Sequence, residues 1–249
     1  MRRDLEALWQ PGVIPGEVVD EARERLLHLS RDRGYLSAEV KAEVQADDAE
    51  AFRVLFTVRR GPRARAETVS VSGCRDIPAK EVLGVLETSA DSFFSRGIVR
   101  QSALERDREA IRDLYLSRGF PAVSVADPEV MLDDGGRHAS VTFRVEEGPM
   151  ITVRALSFEG NAAIPSERLE KGAGIAGGSP YTARAAAEAA LAIRREYDGS
   201  GFPDAEVRLR PPAVGRGETS RPEDLAFVIK EGKRQSVGGI EIAGNVFNL

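Results

Sequence analysis

Apolar positions along this chain follow two rhythms. Val69 and Val71, Phe52/Val54/Phe56/Val58, Val141/Phe143/Val145, Leu156/Phe158 and Leu225/Phe227/Ile229 alternate with polar or small residues. Period two puts every second side chain on one side, so these runs predict strands with one buried face. Other stripes recur at helical spacing: Val18, Ala22, Leu26 and Leu29; then Leu104, Ile111, Leu114 and Tyr115; then Ala186, Ala190, Ile193 and Tyr197. Leu26, Ile111 and Ile193 each stand eight residues before a glycine, at 34, 119 and 201. Glycine is the residue that closes a helix in the left-handed conformation. The aromatic after each glycine (Tyr35, Phe120, Phe202) is expected to pack back on the helix.

The two rhythms recur in a fixed order. The Gly-aromatic corners lie 85 and 82 residues apart, and LSAEV, PAVSV and PDAEV follow them. The hairpin strands end at Gly61, Gly148 and Gly232, spaced 87 and 84. The runs VSVSGC, LSFEGN and IEIAGN place Gly73, Gly160 and Gly244 at the same two intervals. Four ordered markers at near-constant spacing identify a tandem repeat. The predicted boundaries are a unit over 1–62 without its first strand, complete units over 63–148 and 149–232, and over 233–249 the first strand of a further unit or the start of the next domain.

Each unit reads strand, helix, helix, strand, strand. Ile77-Pro78 and Ile164-Pro165 mark the start of the short helix, with Leu83, Leu86 and Leu169 expected inward. Turn residues at 47–50, 133–136 and 211–222 join the last two strands as hairpins. A sheet covered on one face by two helices makes a two-layer α+β domain.

Composition narrows the function classes. Lys+Arg 35 against Asp+Glu 40 gives a net charge of -5, which argues against a basic nucleic-acid scaffold. No run of 18 apolar residues predicts a membrane-spanning helix. The first residues, MRRDLEALWQPG, hold no apolar segment of the kind a signal peptide needs. One cysteine, Cys74, excludes an internal disulfide, and His28 and His138 lack the further ligands of a structural zinc site.

The element order, the corner Gly201-Phe202-Pro203-Asp204-Ala205-Glu206-Val207, the strand end Phe158-Glu159-Gly160-Asn161, and Tyr181 resemble the POTRA domain. Weaker copies in the other units extend the resemblance over essentially the whole chain. POTRA arrays occur in the BamA/TamA-type outer-membrane assembly (surface antigen) family and in two-partner secretion transporters. The resemblance implies tandem β-α-α-β-β domains, each a three-stranded mixed sheet under two helices. It implies a non-enzymatic periplasmic scaffold at the outer membrane, next to a membrane β-barrel carried by the parent chain. Expected partners are unfolded outer-membrane β-barrel proteins and accessory lipoproteins, with no nucleic acid. The alternative is an interaction or spacer module of a two-partner secretion or division-type protein that docks fixed, folded partners. Nothing in the chain resembles the barrel, so the expectation is the periplasmic part of a longer protein or a barrel-less relative.

No GxxxxGK[ST], HExxH, GxSxG or CxxC motif points to an enzyme, and no catalytic, cofactor or metal residues are assigned. Gly172, Gly174, Gly177 and Gly178 suit a turn between helices, because no lysine follows to meet a phosphate. Asp47-Asp48 and Asp133-Asp134 suit hairpin tips. What remains is binding through the backbone: a sheet edge carries unpaired N–H and C=O groups that an extended peptide can pair as an added strand. The resemblance makes the second strand of each unit an edge. Ala38–Val44 and Ala205–Arg210 present charges outward, whereas the middle edge presents Ala122, Ser124 and Ala126. The favoured peptide edge is therefore Ala122, Val123, Ser124, Val125 and Ala126, cut short at Pro128. The second candidate is Ala205, Glu206, Val207, Arg208 and Leu209. The incomplete ends also suggest head-to-tail contact, with the 233–249 strand pairing beside Phe52–Val58.

Overall fold

A computed structural model describes residues 16–48, 51–90, 97–212, 221–236, 238, 239 and 241. The chain forms two compact units, one of residues 1–114 with 123–147 and one of 115–122 with 148–249.

The first unit opens with helix α1 (Gly16–Asp32) and the antiparallel pair β1 (Glu39–Asp48) and β2 (Ala51–Arg59), in which Val40 faces Val58. Then come β3 (Arg65–Ser72), α2 (Ala79–Gly84), α3 (Gln101–Ser117), β4 (Ser124–Val125), β5 (Glu129–Leu132) and β6 (His138–Glu146). β6 is the central strand: β3 runs parallel to it, while β4 and β5 run antiparallel. Alternation along β6 buries Ala139, Val141, Phe143 and Val145, as its period-two sequence predicts. Val82, Leu104 and Ile111 are fully buried on the helices of this repeat.

The second unit holds β7 (Ile151–Glu159), α4 (Ser166–Ala173), α5 (Ala183–Gly199), β8 (Glu206–Arg210) and β9 (Arg221–Lys230). Strand order is β7-β9-β8, with β7 and β9 parallel and β8 antiparallel. This is the expected mixed sheet, with the third strand central and the second at the edge. Leu169, Ala186, Ala189, Ile193 and Tyr197 from the helices pack with Leu225, Phe227 and Ile229 from β9. Thr182 caps α5: its side chain accepts from the Ala185 N–H at 3.1 Å.

The Gly-aromatic corner does two jobs. Gly34, Gly119 and Gly201 have φ of 89°, 91° and 91°, a region that a Cβ disfavours. The left-handed turn brings Phe120 edge-on to Tyr115 at 5.5 Å and Phe202 to Tyr197 at 5.9 Å. It also aims the glycine carbonyl at the chain entering the next repeat. Gly34 O accepts from Ala64 N (2.9 Å), Gly119 O from Ile151 N (2.7 Å), and Gly201 O from Gln235 N (2.7 Å).

Three details differ from the sequence reading. Leu83 is 37% exposed and Val82 is the buried residue of α2, because a six-residue helix is too short for a stripe to fix its face. On α1 the buried row is Val19, Ala22, Leu26 and Ser30, with Val18 and Leu29 half-buried. The middle edge does not end at Pro128. Val125 faces Val145 and Glu129 faces Thr142, so three residues stand against two. This one-residue bulge absorbs the proline, and pairing resumes as β5. Ile240, Ile242 and Gly244-Asn245, read as a further first strand, lie outside the described residues, as does most of the 211–222 turn.

Candidate functional site

The strongest candidate is the third repeat's edge. One side of β8 pairs with β9 from Glu206↔Lys230 to Arg210↔Ala226. The other side carries no strand among the described residues, leaving a row of backbone groups open to a partner. β8 and α5 flank a groove of about 830 Å³. Ala187, Ala190 and Leu191 supply its helix wall, and Leu191 is 52% exposed. Ala205, Val207 and Arg208 supply the strand wall. A large exposed leucine beside an open strand edge is a ready apolar shelf for a side chain of an added strand.

The edge is firmly held from behind. Ala205 is 4% exposed, and Val207 and Leu209 pack against the core. Arg210 reaches across the sheet to Glu159 with two contacts of 2.9 Å, and Arg208 pairs with Glu206 at 3.1 Å. Tyr197 below donates its hydroxyl to Glu231 at 3.0 Å; burial, then this carboxylate, push its pKa well up. The same Glu231 accepts from Ala163 N at 2.7 Å, tying the end of β9 to the loop after β7.

The middle edge, favoured by the sequence, is built differently. Val123 is buried, Ser124 and Ala126 are exposed, and Ala122 and Val125 are half-buried. Only Ser124 and Val125 form β4, with Ala126 N adding a bond to Arg144 O at 3.0 Å. The helix positions equivalent to Ala187, Ala190 and Leu191 are here Glu105, Arg108 and Glu109. Arg108 forms an ion pair with Asp127, directly after this edge. In the first repeat these positions are Asp20, Arg23 and Glu24. Of the three repeats, the third alone has an apolar helix wall at these positions; the groove beside β1 in the first repeat sets Asp20 and Arg23 on its helix side and carries its apolar surface on the strand, at Val40 and Val44. Sequence reading weighed strand residues alone; comparing the outer helix positions between repeats carries the missing signal.

Other singled-out residues fall into structural roles. Asp133 closes its hairpin by accepting from Arg137 N (2.7 Å) and His138 N (3.1 Å), and its second oxygen meets His138 Nδ1 at 3.1 Å. These bonds, led by that from the His138 backbone, lower its pKa. Gly174, Gly177 and Gly178 lie in the turn between α4 and α5. His28 is exposed and Cys74 is half-buried after β3. Among the described residues no group of three or more His, Cys, Asp or Glu could hold a metal, and no helix is long and apolar enough to cross a membrane.

Comparison with known proteins agrees with the fold. The family model described as "Surface antigen variable number repeat" (POTRA) matches residues 65–148 and 151–232. The outer membrane protein assembly factor BamA of Nitratidesulfovibrio vulgaris is 27% identical over 164 residues, 64% of this chain and 20% of that protein. A putative outer membrane protein assembly factor of Treponema pallidum is 26% identical over 170 residues, 66% of this chain and 20% of that protein. The chain thus spans about a fifth of the length of these curated relatives. Among solved structures, the crystal structure of Haemophilus influenzae BamA POTRA3-5 superposes with a TM-score of 0.50 at 20% identity, covering 94% of this chain and 91% of that one.

Proposed function

Since the chain belongs to the POTRA family, we propose that it is a non-enzymatic periplasmic scaffold segment of an outer-membrane protein assembly factor. It receives extended segments of unfolded outer-membrane proteins by strand addition. The observation that carries this reading is the open edge of β8 beside the apolar shelf of Ala187, Ala190 and Leu191. Main-chain bonds to the edge are indifferent to client sequence, and the shelf favours the alternating apolar side chains that a future barrel strand presents.

The chain's own residues divide the work. Val207, Leu209 and the core behind them hold the edge rigid. Glu206 and Arg208 keep an unoccupied edge from pairing with another copy, the usual task of charges on an edge strand. In this reading the first and middle repeats present weaker edges; the middle edge, 122–126, is the second client site. The parent's membrane barrel and accessory lipoproteins are the expected neighbours.

The test is a titration of the isotope-labelled chain with peptides taken from barrel strands. Saturable shifts in residues 205–210 and 187–194 support the proposal. Shifts confined to 122–126 would move the site to the middle repeat. No shift at millimolar peptide would favour docking of a fixed, folded partner.

A further inference from the structure

A second site of different chemistry lies in the first unit. Residues around the start of α3 enclose a cleft of about 380 Å³. Arg63, Arg100, Thr88 and Glu87 bring polar groups to it, beside Gly97 and Ile98. Thr88 is only 8% exposed, and its hydroxyl has no hydrogen-bond partner among the described residues. A buried hydroxyl left unpaired is costly to the fold, so its presence in the wall of a cleft calls for a ligand. Arg63 and Arg100 make no ion pair among the described residues; Arg63 rests over the Tyr35 ring at 5.3 Å. Asp32 lies within electrostatic reach of Arg100, and its carboxylate is engaged by Ser102 N at 3.1 Å.

The acids near the cleft are already answered. Glu87 is gripped by Arg106 through two contacts of 3.0 and 3.2 Å. Asp107, 1% exposed, spends its two oxygens on Glu87 N and Thr88 N. Those bonds fix the backbone that carries Thr88. Among the described residues, two arginines therefore remain with free donor capacity around one unpaired hydroxyl.

The third repeat is an internal control. Its equivalent backbone is alike: Ala66 N bonds Gly97 O and Val99 N bonds Ala64 O, just as Val153 N bonds Ser179 O and Tyr181 N bonds Ile151 O. By this register Arg63 corresponds to Met150, Thr88 to Ile175, Arg100 to Thr182 and Asp107 to Ala189. Ile175 and Ala189 simply pack in the core there. The fold therefore does not require the polar set.

We propose that this cleft binds a phosphate-bearing anion, with Arg63 and Arg100 as charge partners and Thr88 as hydrogen-bond donor. Guanidinium groups suit phosphate oxygens because their N–H pairs match that geometry. The phosphate is either that of a small free ester or that of a lipid headgroup.

The probes are inorganic phosphate and glycerol phosphate at constant ionic strength, and vesicles of phosphatidylglycerol in phosphatidylcholine. Amide shifts of the full chain report the first two, and co-sedimentation reports the vesicles. The variants Arg63→Met, Arg100→Thr and Thr88→Ile install the third repeat's own residues, and Arg63→Met alone leaves the helix start untouched. Expected is a saturable shift at Thr88, Gly97 and Arg100 that each arginine variant weakens tenfold or more, with the remaining spectrum unchanged. Vesicle binding that the same variants abolish assigns the site to a headgroup; response to the esters alone assigns it to a free phosphate. Either supports the proposal. No saturable shift and no vesicle binding would overturn it, as would binding that Arg63→Met leaves unchanged.

Discussion

Replacing Gly160 by alanine isolates the reason for the glycine that ends the first strand of a repeat. Gly160 has φ of 87°, and a Cβ built there would stand 2.2 Å from the carbonyl oxygen of Ile229. That oxygen cannot retreat cheaply, because β9 is central: Phe158 faces Phe227 on one side and Val207 faces Ile229 on the other. A side chain in the left-handed region costs about 1–2 kcal/mol. Forcing atoms into a packed site adds roughly 1–3 kcal/mol. The expected loss is therefore about 2–5 kcal/mol. Gly174→Ala is the control: φ is 70° but nothing lies within 4 Å, so only the backbone penalty of about 1 kcal/mol applies. Urea unfolding read by circular dichroism gives the total, and amide exchange at Phe227 and Ile229 reports the third repeat alone. If Gly160→Ala costs no more than Gly174→Ala, the close-approach argument is refuted. Gly73, whose Cβ would come within 1.9 Å of Val145 O, should behave as Gly160 does.

Glu147 is 6% exposed and accepts from the backbone of Arg75, Asp76 and Ile77 at 2.9–3.4 Å. Glu147→Ala leaves those donors without their charged acceptor and should cost about 3 kcal/mol in chemical unfolding; a loss below about 0.5 kcal/mol would contradict this role. Leu191→Glu, which installs the charge of the middle repeat, should weaken binding of a barrel-strand peptide at least tenfold without lowering the unfolding midpoint; unchanged affinity would remove the shelf from the site. The Ser102 hydroxyl, aided by its backbone N–H, holds the Asp32 carboxyl below the usual carboxylate range. A lowered folded pKa gives stability that is complete above the ordinary value of 3.8 and lost as pH falls through the folded one. The stability gap between the native chain and Asp32→Asn should therefore close on acidification through that window, and a gap independent of pH would contradict the assignment.

Much of the fold was legible because the repeat reports most of its elements three times. The corner glycines, the buried faces of β6 and β9, and Ala186, Ile193 and Tyr197 of the α5 stripe follow from spacing alone; Ala189, not the expected Ala190, completes that buried stripe, and Ala190 turns to the groove. The middle edge was legible only in part. Pro128 signals an end to pairing, but a bulge needs only one extra residue, and no local pattern distinguishes the two outcomes. Glu147 and Glu231 look like ordinary surface acids; their roles as backbone acceptors depend on loops some 70 residues away. The candidate site followed the same division. The edge strands could be named from sequence, while the groove beside β8 depends on α5 residues that make no motif. Thr88 and Asp107 became visible only when the register set them against Ile175 and Ala189.

The most direct test of strand addition is amide-exchange protection on β8 with a saturating barrel-strand peptide, compared with β4 in the same sample. The expected result is strong new protection within Glu206–Arg210 that saturates at lower peptide concentration than any protection at Ser124 and Val125. Exchange on β8 unchanged by a peptide that demonstrably binds would contradict the claim.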